Sequence, residues 1–458
     1  MKIIILGAGR VGTSVAKNLV SERNDITLID NDPTRLVGLQ DRYDLRVLVG
    51  SGTHISVLES AGAADADMLI ACTASDESNL VACRIARQVF NIPQRIARIR
   101  SNEFVDRPDI IGAEGFCIDH LISPERSVTA YLERLVRFPE ALQVADFADD
   151  NVTIVLVRVG QNSLLLRQTV ADIGRMFAST IHVLAIFRDE RPIQFSADTV
   201  FQIDDEVLVL IETQHLRSVM HELAQVRRQA HRIMIGGGGN IGARIARELS
   251  EQGYQVKLIE HDPERCERLA SSLPANVLVL NGDVTDEALL EEENIDSIDV
   301  FLAVTDQDES NIMSALLAKR MGARRVMSLI ARKSYDELME GSRIDVAVAP
   351  DQTTIGELLR YVRRGDVVKV HKIRRGSVEA LEAIVHGDAN TSRVVGRRLG
   401  EIPLPSGATM AAVVRGDSVL LPTDDPVIES GDHVIVLVMR RRLLPQVERL
   451  FQVAPSFF

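Results

Sequence analysis

Short apolar runs recur along the chain, at residues 3–6, 27–29, 47–49, 68–71 and 96–99, without polar alternation. Such runs are strands buried on both faces, as in a parallel sheet covered by helices. Between them lie amphipathic stretches such as residues 15–20, with apolar positions at helical spacing. The pattern predicts strand, glycine turn, helix and strand in repetition, a Rossmann-type unit. Past residue 123 it changes. "SPERSVTAYLERLVRFP" puts Val128, Leu132, Leu135 and Val136 on one helical face, with proline near its start, where a missing N–H costs little. Alternation then appears in "NVTIVLVRVG" and "DEVLVLI", which predicts strands of a small α+β unit.

The whole pattern occurs twice. An offset of 230 (237 − 7) lays Gly7, Gly9 and Gly12 on Gly237, Gly239 and Gly242. It also pairs Asp30 with Glu260, Asp32 with Asp262 and Pro33 with Pro263. Further on the offset becomes 232 (282 − 50): Gly50, Thr53, Leu58, Thr73 and "DESN" at 76–79 meet Gly282, Thr285, Leu290, Thr305 and "DESN" at 308–311. In this reading Ile96-Ala97-Arg98 returns as Ile330-Ala331-Arg332, and Pro124 as Pro350. The second amphipathic helix, "PDQTTIGELLRYVRRG", places Ile355, Leu358, Leu359 and Val362 on one face, and "GATMAAVVRG" and "DHVIVLVM" repeat the alternating strands. "IDDEVLVLI" and "SGDHVIVLV" share an acidic turn just before the strand. The expected fold is α/β: two tandem modules, each a Rossmann-like parallel-sheet N-terminal subdomain (1–123 and 227–350), a helix (124–140 and 351–366) and a small α+β C-terminal subdomain (141–226 and 367–458). "LAQVRRQAHR" joins the halves.

Composition narrows the function. Apolar residues make up 46% and charged residues 26%, the proportions of a globular protein. No apolar run approaches the roughly 18–20 residues that a membrane helix needs, and the run after Met1 stops at Gly7, so it reads as a buried strand rather than a signal segment. A net charge of −13 argues against a general nucleic-acid binder, and the lack of Trp with only 4% aromatics argues against a stacking platform for bases. Local basic clusters at Arg227-Arg228, Arg363-Arg364, Arg374-Arg375 and Arg440-Arg441-Arg442 read as solvated ends, with contact to an acidic partner as the other reading. Cys72, Cys83, Cys117 and Cys266 have no metal-like spacing and read as free buried thiols.

The glycine loops carry the candidate chemistry. Gly7 permits the turn out of the first strand, Gly9 lets backbone approach a pyrophosphate, and Gly12 permits close helix–strand packing. The helix that follows offers N–H groups and positive potential to phosphates. Asp30 and Glu260, each 23 residues past the first glycine (30 − 7 and 260 − 237), sit where a carboxylate accepts from both ribose hydroxyls and repels a 2′-phosphate. NAD(H) or another adenine nucleotide is therefore favoured over NADP(H). Thr73-Ala74 and Thr305-Asp306 follow the fourth strand and either face nucleotide or cap the loop. Arg98 and Arg332, each read at a strand end, fork a phosphate or make a surface ion pair. Arg10 has become Asn240, so the two loops are expected to differ in ligand or affinity.

On these paired loops, "ADMLIACTASDESN" with "IDVFLAVTDQDESN", the "IAR" segments and the small unit after each, the chain resembles the regulatory RCK/KTN proteins of potassium transport over its whole length. Among them it is most similar to the two-module subunits of bacterial Trk uptake systems. The resemblance implies a crossover helix between the subdomains of each module, pairing through those helices, and a homotetramer that forms a ring of eight modules. It implies NAD(H) or ATP/ADP as ligands and a membrane-embedded Trk-type potassium transporter as partner, on the cytoplasmic face of the inner membrane. Carried over by position, the first site uses Gly7, Ala8, Gly9, Arg10, Val11, Gly12, Asp30, Thr73, Ala74 and Arg98. The second uses Gly237, Gly238, Gly239, Asn240, Ile241, Gly242, Glu260, Thr305 and Arg332.

A dehydrogenase is the rival reading. Hydride transfer ordinarily uses a His, Lys or Tyr as acid or base. His54, His120, His182 and His215 are scattered without an equivalent in the other half, and His261 follows the ribose carboxylate, away from any nicotinamide. There is no GxxxxGK[ST] motif to support motor-like ATP hydrolysis. The sequence thus points to a ligand-sensing regulator without catalysis or metal.

Overall fold

The computed structural model describes residues 1–20, 24–177, 180–224, 230–332, 334–335, 342–362, 367–374 and 377–452. The expected joints near 227 and 366, residues 225–229 of the "LAQVRRQAHR" linker with Arg227-Arg228 among them, Arg363-Arg364, Arg375 and the side chains of Leu359 and Arg441 lie outside them. The chain forms two compact units, residues 1–128 with 350–363, and residues 129–349 with 364–458.

In the first unit, β1 (Lys2–Leu6), β2 (Asp25–Asp30), β3 (Arg46–Val49), β4 (Met68–Ala71), β5 (Gln94–Arg98) and β6 (His120–Ile122) form one sheet in the order β3-β2-β1-β4-β5-β6. Every neighbouring pair is parallel. β1, β2, β4 and β5 are largely buried on both faces, whereas the run 47–49, expected to be buried likewise, lies in the edge strand β3 and is half-buried or exposed, Val49 at 55%. β6 is an addition to the expected strands, too short at three residues to signal by pattern. One face is covered by the helix Arg10–Val20, whose Val11, Val15 and Leu19 pack with Ile355, Leu358 and Val362. Those three belong to the helix Pro350–Val362, which is more than 300 residues away in sequence. Tyr361 of that helix stacks on His120, ring centroids 3.8 Å apart.

In the second unit, β12 (Arg232–Gly236), β13 (Gln255–Glu260), β14 (Val277–Asn281), β15 (Val300–Ala303), β16 (Arg325–Leu329) and β17 (Val346–Val348) repeat the parallel sheet in the order β14-β13-β12-β15-β16-β17. Two five-stranded antiparallel sheets accompany it. One is β10-β9-β11-β8-β7, from β7 (Ala141–Phe147), β8 (Val152–Arg158), β9 (Ile181–Arg188), β10 (Arg191–Ile193) and β11 (Glu206–Glu212). The other is β18-β19-β22-β20-β21, from β18 (Val367–Ile373), β19 (Val378–Ile384), β20 (Ala408–Arg415), β21 (Ser418–Leu420) and β22 (His433–Val438). The two antiparallel sheets share one apolar cluster, in which Phe147, Ile154 and Leu208 meet Ile373, Ala380 and Ile435. Two tandem modules, each with a parallel sheet and a smaller antiparallel one, are therefore the architecture.

The first helix between subdomains, Pro124–Arg137, buries Val128, Leu132, Leu135 and Val136. Arg325 at the start of β16 holds the end of this helix and the chain just past it, donating to Leu135 O at 3.2 Å, Phe138 O at 3.1 Å and Ala141 O, the first residue of β7, at 2.5 Å. A cation suits this end of a helix dipole. Burial pushes the Arg325 guanidinium down to about 10, with the charges of Asp345 and Glu140 opposing that shift.

Candidate functional site

A cleft of about 520 Å³ opens in the first unit at the carboxyl ends of β1–β5, where strand order reverses between β1 and β4. Open α/β sheets bind ligands at such a switch point. Gly7, with φ +98°, turns the chain out of β1, and a Cβ there would lie 2.9 Å from Thr73 Cα. A Cβ on Gly12 would sit 1.8 Å from Gly7 O, so the helix can pack this closely only without a side chain at that position. Nothing lies within 4 Å of the place where a Gly9 Cβ would be, which leaves that surface open to a ligand. The first intrahelical bond runs from Thr13 N–H to Gly9 O at 2.9 Å, which leaves the first-turn amides to whatever occupies the cleft.

Asp30 ends β2, almost wholly buried, and its carboxylate shapes the turn from within. One oxygen accepts from Ala8 N–H at 2.6 Å and the other from Asp32 N–H at 2.8 Å. Arg10, Arg35, Arg98 and Arg100 surround the cleft, which also includes Val11, Gly50 to Thr53 and Cys72 to Ser75. The Cys72 thiol is pushed up to about 12 by burial, against the nearby Arg98 charge, so it is no nucleophile. No His, Lys or Tyr occurs among the residues lining the cleft, whose carboxylates are Asp30 and Asp32.

Thr73 has a structural task. Its N–H and hydroxyl both reach Asn79 Oδ1, at 3.0 and 2.8 Å, and Asn79 Nδ2 donates to Arg98 O at 2.8 Å. Ser75 caps the helix Asp76–Gln88 by accepting from Ser78 N–H. Asp76 accepts from the N–H groups of Arg100 and Ser101 at 2.9 and 2.8 Å, which fixes the backbone that carries Arg100. Sequence reasoning recorded the repeated "DESN" without giving Asp76 and Asn79 this role. Both hold the walls of the cleft, and their identity in the two copies was the available signal. Arg35 and Arg100 were also missed, because only folding brings them beside Arg10.

The second half repeats the loop. Gly237 has φ +112°, a Gly242 Cβ would lie 1.8 Å from Gly237 O, and Gly239 again faces open space. Glu260 accepts from Gly238 N–H at 2.9 Å and Asp262 N–H at 3.0 Å, and Thr305 bonds Asn311 as Thr73 bonds Asn79. At Gly238 a Cβ would meet Leu269 at 2.5 Å and Glu260 Oε2 at 2.8 Å, which is why glycine stands where the first copy has Ala8. The opening here is a shallower region of about 430 Å³ along the helix Pro263–Ser272, lined by Gly238, Gly239, Asn240, Ala243, Arg265, Arg268, Leu269 and Ser272. Ile241, Glu260, Thr305 and Arg332 do not line it.

The pairing of Arg98 with Arg332 is corrected by the sheet. Asn79 binds Arg98 O, whereas its counterpart Asn311 binds Leu329 O at 3.0 Å. Asp76 receives the amides of Arg100 and Ser101, whereas Asp308 receives those of Ala331 and Arg332, at 2.9 and 2.8 Å. The counterparts of Arg98 and Arg100 are thus Leu329 and Ala331, and Arg332 stands in the place of Ser101. Arg332 lies three residues beyond the end of β16, makes an exposed ion pair with Glu309 at 2.7 Å and reaches Tyr335 at 3.1 Å. The repeated "IAR" is a coincidence of three residues that an alignment without coordinates accepts.

Comparison with known proteins extends these observations. The TrkA-N domain family matches residues 3–124 and 233–350, and the TrkA-C domain family matches residues 154–224 and 389–452. The Trk system potassium uptake protein TrkA of Vibrio alginolyticus is 50% identical over all of both chains, and that of Halomonas elongata 49% identical over all of both. Among solved structures, the GsuK channel bound to NAD superposes with a TM-score of 0.61 at 16% identity, over 98% of this chain and 78% of that one, a likeness of fold.

Proposed function

The chain belongs to the TrkA family of Trk-system potassium uptake proteins, and from that premise we propose that its first glycine-loop cleft binds NAD(H), ATP or ADP and thereby gates a membrane-embedded Trk-type potassium transporter. The family is regulatory rather than enzymatic. The carrying observation is the first cleft itself: an open glycine loop, a ribose-position carboxylate and four arginines, with no His, Lys or Tyr among its lining residues. Gly7 to Gly12 and Arg10 hold phosphate, Asp30 meets the ribose, and Arg98 stands on the opposite wall. The NAD in the GsuK structure supports an adenine dinucleotide in a fold of this kind.

The modules divide at the joints given above, 1–123, 124–140 and 141–226, then 227–350, 351–366 and 367–458. Four chains form the ring of eight modules. Each half supplies matching apolar positions for it, Val81 and Ile85 on the helix Asp76–Gln88 with Val89 at its C-cap, and Met313 and Leu317 on Asp308–Arg320. Val89 is 50% and Met313 60% exposed. Among the described residues no helix is long and apolar enough to cross a membrane. Attachment at the cytoplasmic face of the inner membrane therefore runs through the transporter. A nucleotide shifts the ring between geometries by its differential affinity, and the transporter reads that shift.

The test is calorimetric titration of the full chain with NADH, ATP and ADP, run beside potassium flux in proteoliposomes that hold the transporter. Micromolar binding that alters flux is expected. Absence of binding for all three, or flux that ignores bound nucleotide, sinks the reading.

A further inference from the structure

The correspondence fixed by hydrogen bonds permits a residue-by-residue comparison of charge around the two loops. Gly50 N–H donates to Asp30 O and Gly282 N–H to Glu260 O, so the loops after β3 and β14 align, with Asp283 in the place of Ser51. The Thr73–Asn79 and Thr305–Asn311 bonds likewise align the loops after β4 and β15, with Asp306 in the place of Ala74. Around the first loop stand four arginines, Arg10, Arg35, Arg98 and Arg100, against two carboxylates, Asp30 and Asp32. Their counterparts are Asn240, Arg265, Leu329 and Ala331, against Glu260, Asp262, Asp283 and Asp306. At the aligned positions one arginine thus stands against four carboxylates, and Arg268, which lines the opening without a counterpart in the first cleft, adds a second arginine. Asp283 is firmly ionised: the N–H and hydroxyl of Thr285 hold it below the usual carboxylate range, with His261 adding to the effect.

What remains unchanged is the glycine turn and the ribose-position carboxylate. The open Gly239 surface and the carboxylate of Glu260 match Gly9 and Asp30. The loss falls on the groups that neutralise phosphate. Resting on the nucleotide-binding reading above, we propose that the two halves sort adenine ligands by charge. The first half takes ATP or ADP as well as dinucleotides. The second takes an adenosine ligand of low negative charge, NAD or adenosine, and rejects ATP, with Asp283 and Asp306 as the excluding residues. Exposed charges act through water, so the discrimination weakens with salt.

A Cβ at Gly9 or Gly239 would meet no protein atom within 4 Å, so Gly9→Val and Gly239→Val should each fill the open surface of one loop in a folded chain, which circular dichroism melts check. Equilibrium dialysis of the full chain then uses ATP, NAD and adenosine as probes at low and high salt. Gly9→Val should bind NAD or adenosine at least tenfold more tightly than ATP. Adding Asp283→Ser and Asp306→Ala should raise its ATP affinity at least tenfold. Equal affinity for ATP and NAD in Gly9→Val, no binding at all, or no gain from the two substitutions overturns the proposal. Gly239→Val separates the two levels: it should keep ATP at the first loop, and if it binds no nucleotide, the underlying reading fails instead.

Discussion

Leu6 and Gly52 in the first half exchange bulk with Gly236 and Val284 in the second. A Cβ on Gly52 would meet Leu6 at 2.5 Å, and one on Gly236 would meet Val284 at 2.2 Å, so each half holds one large side chain at this contact. Gly52→Val alone should overpack the first half and cost roughly 1–3 kcal/mol. With Leu6→Gly added, part of that loss should return, read as a non-zero coupling in a denaturant-melt double-mutant cycle. Additive losses would mean the halves are not packed alike. Asp30→Ala acts on both fold and ligand, since its oxygens hold the amides of Ala8 and Asp32. Hydrogen bonds to a charged group are worth about 1.5–3 kcal/mol each way. Affinity for both NADH and ATP should therefore fall at least tenfold in calorimetry.

At the scale of elements, the acidic turn before β11 and β22 has a mechanical reason. Asp205, fully buried, accepts from Arg188 Nε and Nη2, both at 2.8 Å, and from Gln202 N–H at 2.8 Å. Asp432 repeats this with Arg415 and Glu429 N–H at the same distances. The carboxylate locks β11 to β9 and β22 to β20 by a bidentate pair and sets the turn as well. Removing one partner of a buried pair costs roughly 3–5 kcal/mol, less here because each arginine is partly exposed. Asp432→Ala should lower the urea midpoint of the second C-terminal subdomain, and Asp205→Ala that of the first. His371 in β18 adds a pH dependence. Burial pushes its imidazole down to about 4, helped by the charges of Lys369 and Arg134 and opposed by a backbone hydrogen bond at Asp146. The folded chain then keeps His371 neutral where the unfolded chain protonates it, so stability is lost as pH falls from about 6.5 toward 4. His371→Gln should flatten the melting-temperature slope across that window, and an unchanged slope would assign the acid sensitivity elsewhere.

For the molecule as a whole, the proposed ring would cover the exposed Val89 and Met313. Val89→Glu with Met313→Glu places a charge at each position without touching either core. If the ring forms through these helices, sedimentation should show the tetramer dissociate while each chain melts as before, because surface substitutions shift stability by about 0.5 kcal/mol or less. A tetramer that survives both changes would move the contact to another surface.

The sequence by itself determined whatever depends on neighbours along the chain. Strand–turn–helix succession, the glycine roles, the carboxylates Asp30 and Glu260 and the duplication follow from steric rules and spacing that act within a few dozen residues. Thr73 as a loop cap was legible too, since small hydroxyl residues before a helix bind nearby backbone. Tertiary structure alone decided that Arg332 is no partner of Arg98, because only the register of β16 against β15 counts residues along the strand. It alone gathered Arg35 and Arg100 beside Arg10. The amphipathic patterns of Pro350–Val362 and of the C-terminal strands announced apolar faces but not their covers. One face was completed by the helix Arg10–Val20, more than 300 residues away, and the others by a second sheet. Hydrophobic burial has no direction and no sequence address, so a chain states which face must leave water and leaves the choice of surface to the fold.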